Sequence, residues 1–213
     1  MKKPKIFLLV FLMAIIFTAC QKEGEKSSEQ DMSAYEKIQK NIVELETYRT
    51  DATIEYISNK GSNIYSTAQM GKISGEYKIS IIGPDQVAGN ITMFDGKMIT
   101  QYNPRVAGKV SVSTTETMDR SEVLLTSFIK NYLKSQEVSV SVANMDESRC
   151  TVLEATIPGD HAYLATEKLW VDNETLQPVQ LIIYDPEGAE RVIVSYSNFE
   201  YNVELDDSEF ILT

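Results

Sequence analysis

The chain has 213 residues, 43% of them hydrophobic, with two cysteines and a single histidine. Its formal charge of −11 excludes nucleic acid as a natural partner, because phosphate binding calls for clustered lysine and arginine. Ten scattered glycines leave no phosphate-cradling loop, and one histidine with one spare cysteine argues against a zinc site.

The first elements concern export. Lys2, Lys3 and Lys5 precede an apolar run over residues 6–17 that ends at the small residues Thr18 and Ala19 before Cys20. This is the pattern of a signal peptide, and the run is too short to remain as a membrane-spanning helix. Phe17-Thr18-Ala19-Cys20 resembles a bacterial lipobox, with Phe17 where leucine is usual. That resemblance implies acylation of Cys20 and cleavage before it, leaving a protein held outside the cytoplasmic membrane by its lipid. Residues 21–33, QKEGEKSSEQDMS, are polar and read as an unstructured tether. The expected organisation is a signal peptide over 1–19, a lipidated flexible tether over 20–32 and one domain over 33–213. Loss of the three leader lysines takes the mature charge to −14. Such a domain is repelled by anionic headgroups, so its hold on the membrane falls to the acyl anchor.

Ser33-Ala34-Tyr35-Glu36 has capping-box spacing, and Ile38, Ile42, Val43 and Leu45 trace an apolar stripe, so a helix is predicted over 34–46. From Tyr48 the period becomes two: Tyr48, Thr50, Ala52, Ile54 and Tyr56 share one face of a half-buried strand, with Arg49, Asp51, Thr53 and Glu55 opposite. Short strands NIYSTAQM, EYKISII, NITMF and MITQY follow between turn signals, and Asp95-Gly96 predicts a type I′ hairpin. A second helix is expected from Asp119-Arg120-Ser121-Glu122 to about Ser135, with Val123, Leu124, Phe128, Ile129, Tyr132 and Leu133 as its apolar face. Beyond it VSVSVA, CTVLEATI, AYLATEKLWVD, PVQLIIYD and ERVIVSYSNFEY have strand composition, with turns at 172–174 and 185–188. So many strands with only two helices cannot form a parallel sheet, which needs a crossover between successive strands. A mainly β (α+β) fold is expected, a large curved antiparallel sheet with helices on its concave face.

The segment KLWVDNETLQPVQLIIYDPEGAERVIVSYSNFEYNVELDDSEF resembles the closing segment of the LolA/LolB-like lipoprotein carriers. Their order is the same: a Trp-Val-Asp strand, a turn with Pro, a strand ending in Tyr-Asp, a Gly turn, a strand ending near Phe and a final Asp-x-x-Phe. MFDGKMITQYNP likewise looks like their Asp-Gly hairpin. The resemblance implies an unclosed half-barrel of about 11 strands, lidded by helices over an apolar interior. Within that superfamily, acylation, acidity and the Ile, Lys, Asn and Tyr usage look most like the germination lipoproteins of clostridial spores. Those imply a noncatalytic partner of a zinc-dependent N-acetylmuramoyl-L-alanine amidase that makes muramic-δ-lactam in spore cortex, on the outer forespore membrane.

The residues themselves offer no catalytic group, resident metal or cofactor. His161 beside Asp160 reads as an exposed turn histidine rather than a general base. Cys150, left alone once Cys20 is acylated, reads as a buried strand residue rather than a reactive thiol. The acidic run over 204–209, and Asp51 with Glu55, lack the alternating spacing of a calcium loop and read as solvated faces. Trp170 reads as core, with cavity lining or partner contact as its other readings. Two functions of different class stay open. An interaction module fills its half-barrel with its own side chains, and Phe128, Tyr132, Leu133 and Trp170 would do so if they point inward. A carrier keeps that space empty for a lipid or acyl chain. The long edges of such a sheet also permit pairing of two copies into a homodimer.

Overall fold

A computed structural model describes residues 22–106, 108–113, 121–159 and 161–212, with side chains from residue 30 onward. Helix α1 (Lys22–Val43) leads into β1 (Thr47–Ser58), β2 (Gly61–Lys72), β3 (Tyr77–Gly83), β4 (Ile91–Phe94), β5 (Met98–Asn103) and β6 (Gly108–Ser113). A single 3-10 turn (Ser121–Val123) and α2 (Leu125–Lys134) follow. Strands β7 (Val138–Met145), β8 (Ser148–Thr156), β9 (Thr166–Asp172), β10 (Pro178–Tyr184) and β11 (Glu190–Tyr201) complete the sheet, and a 3-10 turn (Asp207–Phe210) closes the chain.

All eleven strands form one antiparallel sheet in the order β6-β5-β4-β3-β2-β1-β11-β10-β9-β8-β7. Two meanders, β1–β6 and β7–β11, are thus joined along β1 and β11, with Ala52 opposite Tyr196 and Ile54 opposite Val194. The edges β6 and β7 do not meet, so the barrel is open. The expected unclosed half-barrel with helices against its concave face is therefore what the chain forms.

Alternation in β1 sets which face is inside. Tyr48, Thr50, Ala52 and Ile54 are buried against the helices, while Arg49, Asp51 and Thr53 face the other way. Ile38, Ile42 and Leu45 from the end of α1 and Val123, Leu125, Phe128, Ile129 and Tyr132 around α2 join one core with Leu153, Leu169, Leu181, Ile183 and Val194 of the second meander. Gln39 Nε2 donates to the Tyr132 hydroxyl at 2.8 Å and ties the two helices together.

Several local expectations change. Helix α1 begins at Lys22 rather than at residue 34, so most of the stretch expected to be a flexible tether is helical. Its lysines, glutamates and glutamine are good helix formers, and a helix already docked through Ile38 and Ile42 extends backward with no further nucleation cost. Asp31 then anchors it, accepting hydrogen bonds from Arg149 at 2.7 and 2.5 Å and from Asn173 Nδ2 at 3.2 Å. The Arg149 guanidinium holds the Asp31 carboxyl below its usual range. Cys20 and the signal peptide lie outside the described residues.

Val43 and Leu133, both expected on apolar helix faces, are 65% and 53% exposed, and Leu125 is buried in α2 instead. The turn at Asp95-Gly96 is not type I′. Asp95 is the last paired residue, its N–H donating to the Met98 carbonyl, and of the two central residues Gly96 and Lys97 only Gly96 has positive φ, at 89°. That is the type II′ pattern, which a lysine can complete without the left-handed backbone that type I′ would force on it.

The chain's end lies across the convex face as a strap. Asn202, at φ 52°, turns it, with its side-chain carbonyl accepting from Glu46 N at 2.8 Å. An Asp206–Glu209 capping box folds the last turn, which seats Phe210 at 2% exposure with Lys72 Nζ 5.1 Å from its ring. Arg49 pairs with Glu209 at 2.8 Å, Lys72 with Asp207 at 2.5 Å, and Lys78 Nζ donates to the Glu209 carbonyl at 3.2 Å. The acidic run is solvated as expected at Glu204, Asp206 and Asp207, and through Asp207 and Glu209 it also clamps β1, β2 and β3.

Candidate functional site

The concave face divides into a filled and an open part. Beneath the helices the described side chains pack closely: Phe128, Leu153, Leu181, Ile183 and Val194 have essentially no accessible surface. Polar atoms are trapped there too. Glu167 is fully buried on β9, its Oε1 accepting from Asn131 Nδ2 of α2 at 2.7 Å, while its Oε2 has no partner. Burial pushes this carboxyl up to about 7, although the Asn131 bond opposes the shift. The Tyr196 hydroxyl is likewise unpartnered and its pKa is raised, first by desolvation and then by Tyr48 and Glu167. The Tyr48 hydroxyl approaches the Leu125 backbone without reaching hydrogen-bond geometry.

At the turn end of β1 the interior opens. A groove of about 410 Å³ runs over Ile54, Tyr56, Tyr65, Thr67, Ile79 and Asn90. Next to it, with Tyr56 as the shared wall, lies a larger cavity of about 600 Å³, a volume suited to a small ligand. Three segments build the cavity. The β1–β2 turn supplies Ile57, Ser58, Asn59 and Lys60; the loop between β8 and β9 supplies His161, Tyr163 and Leu164; β11 contributes Arg191 and Val192, with Glu122 at the margin.

Its charged framework is fixed in advance. Asp185 accepts from Ala189 N at 2.9 Å and from Arg191 Nε at 2.6 Å, and these bonds hold its carboxyl below the usual range against the burial that opposes them. The same guanidinium donates to Asn59 Oδ1 at 3.3 Å and lies 6.0 Å from the Tyr163 ring centroid. Gly159, at φ 108°, lets the loop fold back: a Cβ there would come within 2.7 Å of His161 Nε2.

His161 therefore sits exposed on a cavity rim, while its expected neighbour Asp160 lies outside the described residues. Cys150 is fully buried, and burial raises its thiol pKa, which removes the reactive thiolate. Trp170 does not enter the core. Leu169 and Val171 point inward, so alternation turns the indole to the convex face, half-buried, with Nε1 unpartnered. Asp51 accepts from Asn198 Nδ2 at 2.8 Å. Among the described residues no three His, Cys, Asp or Glu side chains gather as a metal site, and no helix is long and apolar enough to cross a membrane. Sequence reasoning missed Glu167, Arg191 and Tyr163. Only Glu167 carried a local signal, a carboxylate in phase with Leu169 and Val171.

The class is thus an open antiparallel half-barrel, lidded on its concave side and carrying a cavity at one end. The chain belongs to the sporulation protein YdcC-like family, whose model it matches over residues 1–210. No curated protein sequence matches it. Among solved structures, a chain in the structure of the CwlD amidase from Clostridioides difficile in complex with the GerS lipoprotein is 30% identical, with a TM-score of 0.51 over 80% of this chain and 95% of that one. An uncharacterized conserved protein from Thermus thermophilus shares the fold at 11% identity, with a TM-score of 0.52 and coverage of 84% and 91%. The LolA superfamily protein NE2245 from Nitrosomonas europaea matches at 15% identity and a TM-score of 0.45, covering 85% of this chain and 97% of that chain.

Proposed function

We propose that the protein is a noncatalytic, membrane-anchored lipoprotein that binds and activates a zinc-dependent cell-wall N-acetylmuramoyl-L-alanine amidase. In that role it supports muramic-δ-lactam formation in spore cortex and hence germination. The observation that carries this reading is the 30% identity, over 80% of the chain, to a chain from an amidase–lipoprotein complex. The packed space beneath α1 and α2 supports it, since a carrier keeps that region empty for an acyl chain whereas here Phe128, Ile129 and Leu153 occupy it. Acylation at Cys20 would hold the domain at the outer surface of a membrane, including the outer forespore membrane, while its acidic surface stays clear of the headgroups.

The cavity of about 600 Å³ favours a second reading, a carrier that shelters a lipid or acyl chain. One experiment separates the two. The protein lacking residues 1–20 is co-expressed with the sporulation amidase of the same organism, copurified, and analysed by lipid mass spectrometry. A stoichiometric complex with raised amidase turnover and no bound lipid is expected. Copurifying lipid without the enzyme would overturn the activator reading in favour of the carrier.

A further inference from the structure

We propose that the cavity at the open end of the half-barrel binds an anionic N-acetylhexosamine glycan, the peptide-free strand with free lactyl carboxylates that a cell-wall amidase leaves, with Tyr163 as its stacking platform and Lys60 as its anion contact. The class of ligand rests on the function proposed above; the site rests on its own geometry.

Four observations fit such a ligand. First, the cavity is open along one side, and the Tyr163 ring is 67% exposed, a cost for an isolated aromatic but the usual state of a sugar platform. An acyl chain would leave much of its length in water there. Second, that ring is backed by a guanidinium which Asp185 and Asn59 already hold, so the platform is set before any ligand arrives. Third, the Arg191 charge is balanced by Asp185, whereas the exposed Lys60 ammonium has no ion pair among the described residues. On a protein of charge −11, a cation without an ion pair at a cavity mouth offers an anion a local point of contact. Fourth, Ile57, Leu164 and Val192 give an apolar wall for acetamido methyl groups, while Asn59, whose Oδ1 is held by Arg191, supplies its side-chain N–H.

The test is isothermal titration of the protein lacking residues 1–20 with a purified peptide-free muropeptide disaccharide, whose lactyl carboxylate is free, with chitotetraose, the free tetrapeptide and palmitate. The expected order puts the muropeptide first, with chitotetraose weaker by about tenfold for want of the lactyl carboxylate, the free tetrapeptide silent, and palmitate unable to compete. Tyr163→Ala and Lys60→Ala, both at exposed positions, should each weaken muropeptide binding about tenfold with an unchanged melting temperature. Lys60→Arg should restore it. Failure of the muropeptide to bind at millimolar concentration, indifference to both substitutions, or displacement by palmitate would each overturn the site. Muropeptide binding without amidase binding would instead sink the proposed function and leave this inference standing. An activated amidase with no glycan binding would do the reverse.

Discussion

The two meanders solve the same problem in opposite ways. Strands β7–β11 stabilise their concave face by burial, with Val123, Leu125, Phe128 and Ile129 around α2 pressed on Leu153, Leu169, Leu181 and Ile183. Strands β1–β6 leave part of that face open, at Tyr56, Tyr65 and Ile81, and are braced from behind by the strap that ends in Phe210. A sheet held from its convex side can keep its concave side for other uses. The filled core and the open groove thus lie largely on different halves of one continuous sheet, and the larger cavity straddles the seam between them.

The sharpest way to break that division is to hollow the filled half. Phe128→Ala should cost about 3–5 kcal/mol, because a fully buried ring leaves a cavity that the surrounding sheet cannot collapse into, and urea denaturation should read it directly. A loss below about 1 kcal/mol would mean that the lid helix contributes little to the fold.

Next in size is the pH response of the same half. Glu167 has its folded pKa raised from 4.5 to about 7. Below the unfolded value both states are protonated and nothing changes; between the two values the folded state keeps a proton that the unfolded chain releases, so stability falls as pH rises. The fall should total about 3 kcal/mol and be complete once pH passes the folded pKa. Glu167→Gln, which keeps the Asn131 contact but cannot ionise, should flatten that slope. A wild-type profile flat from pH 4.5 to 8 would show that the carboxylate reaches water.

The smallest effect sharpens the comparison on the braced side. Phe210→Ala should cost about 2 kcal/mol, and hydrogen exchange should quicken in β1–β3 while β8–β10 stay protected. Uniform loss of protection would mean that the two halves unfold together.

How far the sequence reveals this division depends on where its signals are local. The second meander and β1 are legible because their apolar residues alternate, and alternation fixes both strand and face. The same rule places Trp170 outside, opposite in phase to Leu169 and Val171, although the residue type alone suggests core. The backward extension of α1 is obscured because its first turns are polar on every side and gain their order from the docked turns beyond. The acidic run over 204–209 reads correctly as solvated but hides its clamp, because its partners Arg49, Lys72 and Lys78 stand on distant strands. The cavity is invisible for the same reason. Its Lys60, Tyr163 and Arg191 come from three separated segments, each an ordinary turn or strand end in isolation.

The seam between β1 and β11 also sets an order in time. Tyr48 pairs with Tyr201 and Tyr56 with Val192, so the middle of the sheet is made from its first and last strands. As the chain is synthesised, β1–β6 can zip locally into hairpins, yet β1 waits with one edge unpaired until β11 emerges. Through that interval the first meander is an exposed template for any other strand that passes. A chaperone, or rapid completion of the chain, shortens the time for which that edge is exposed.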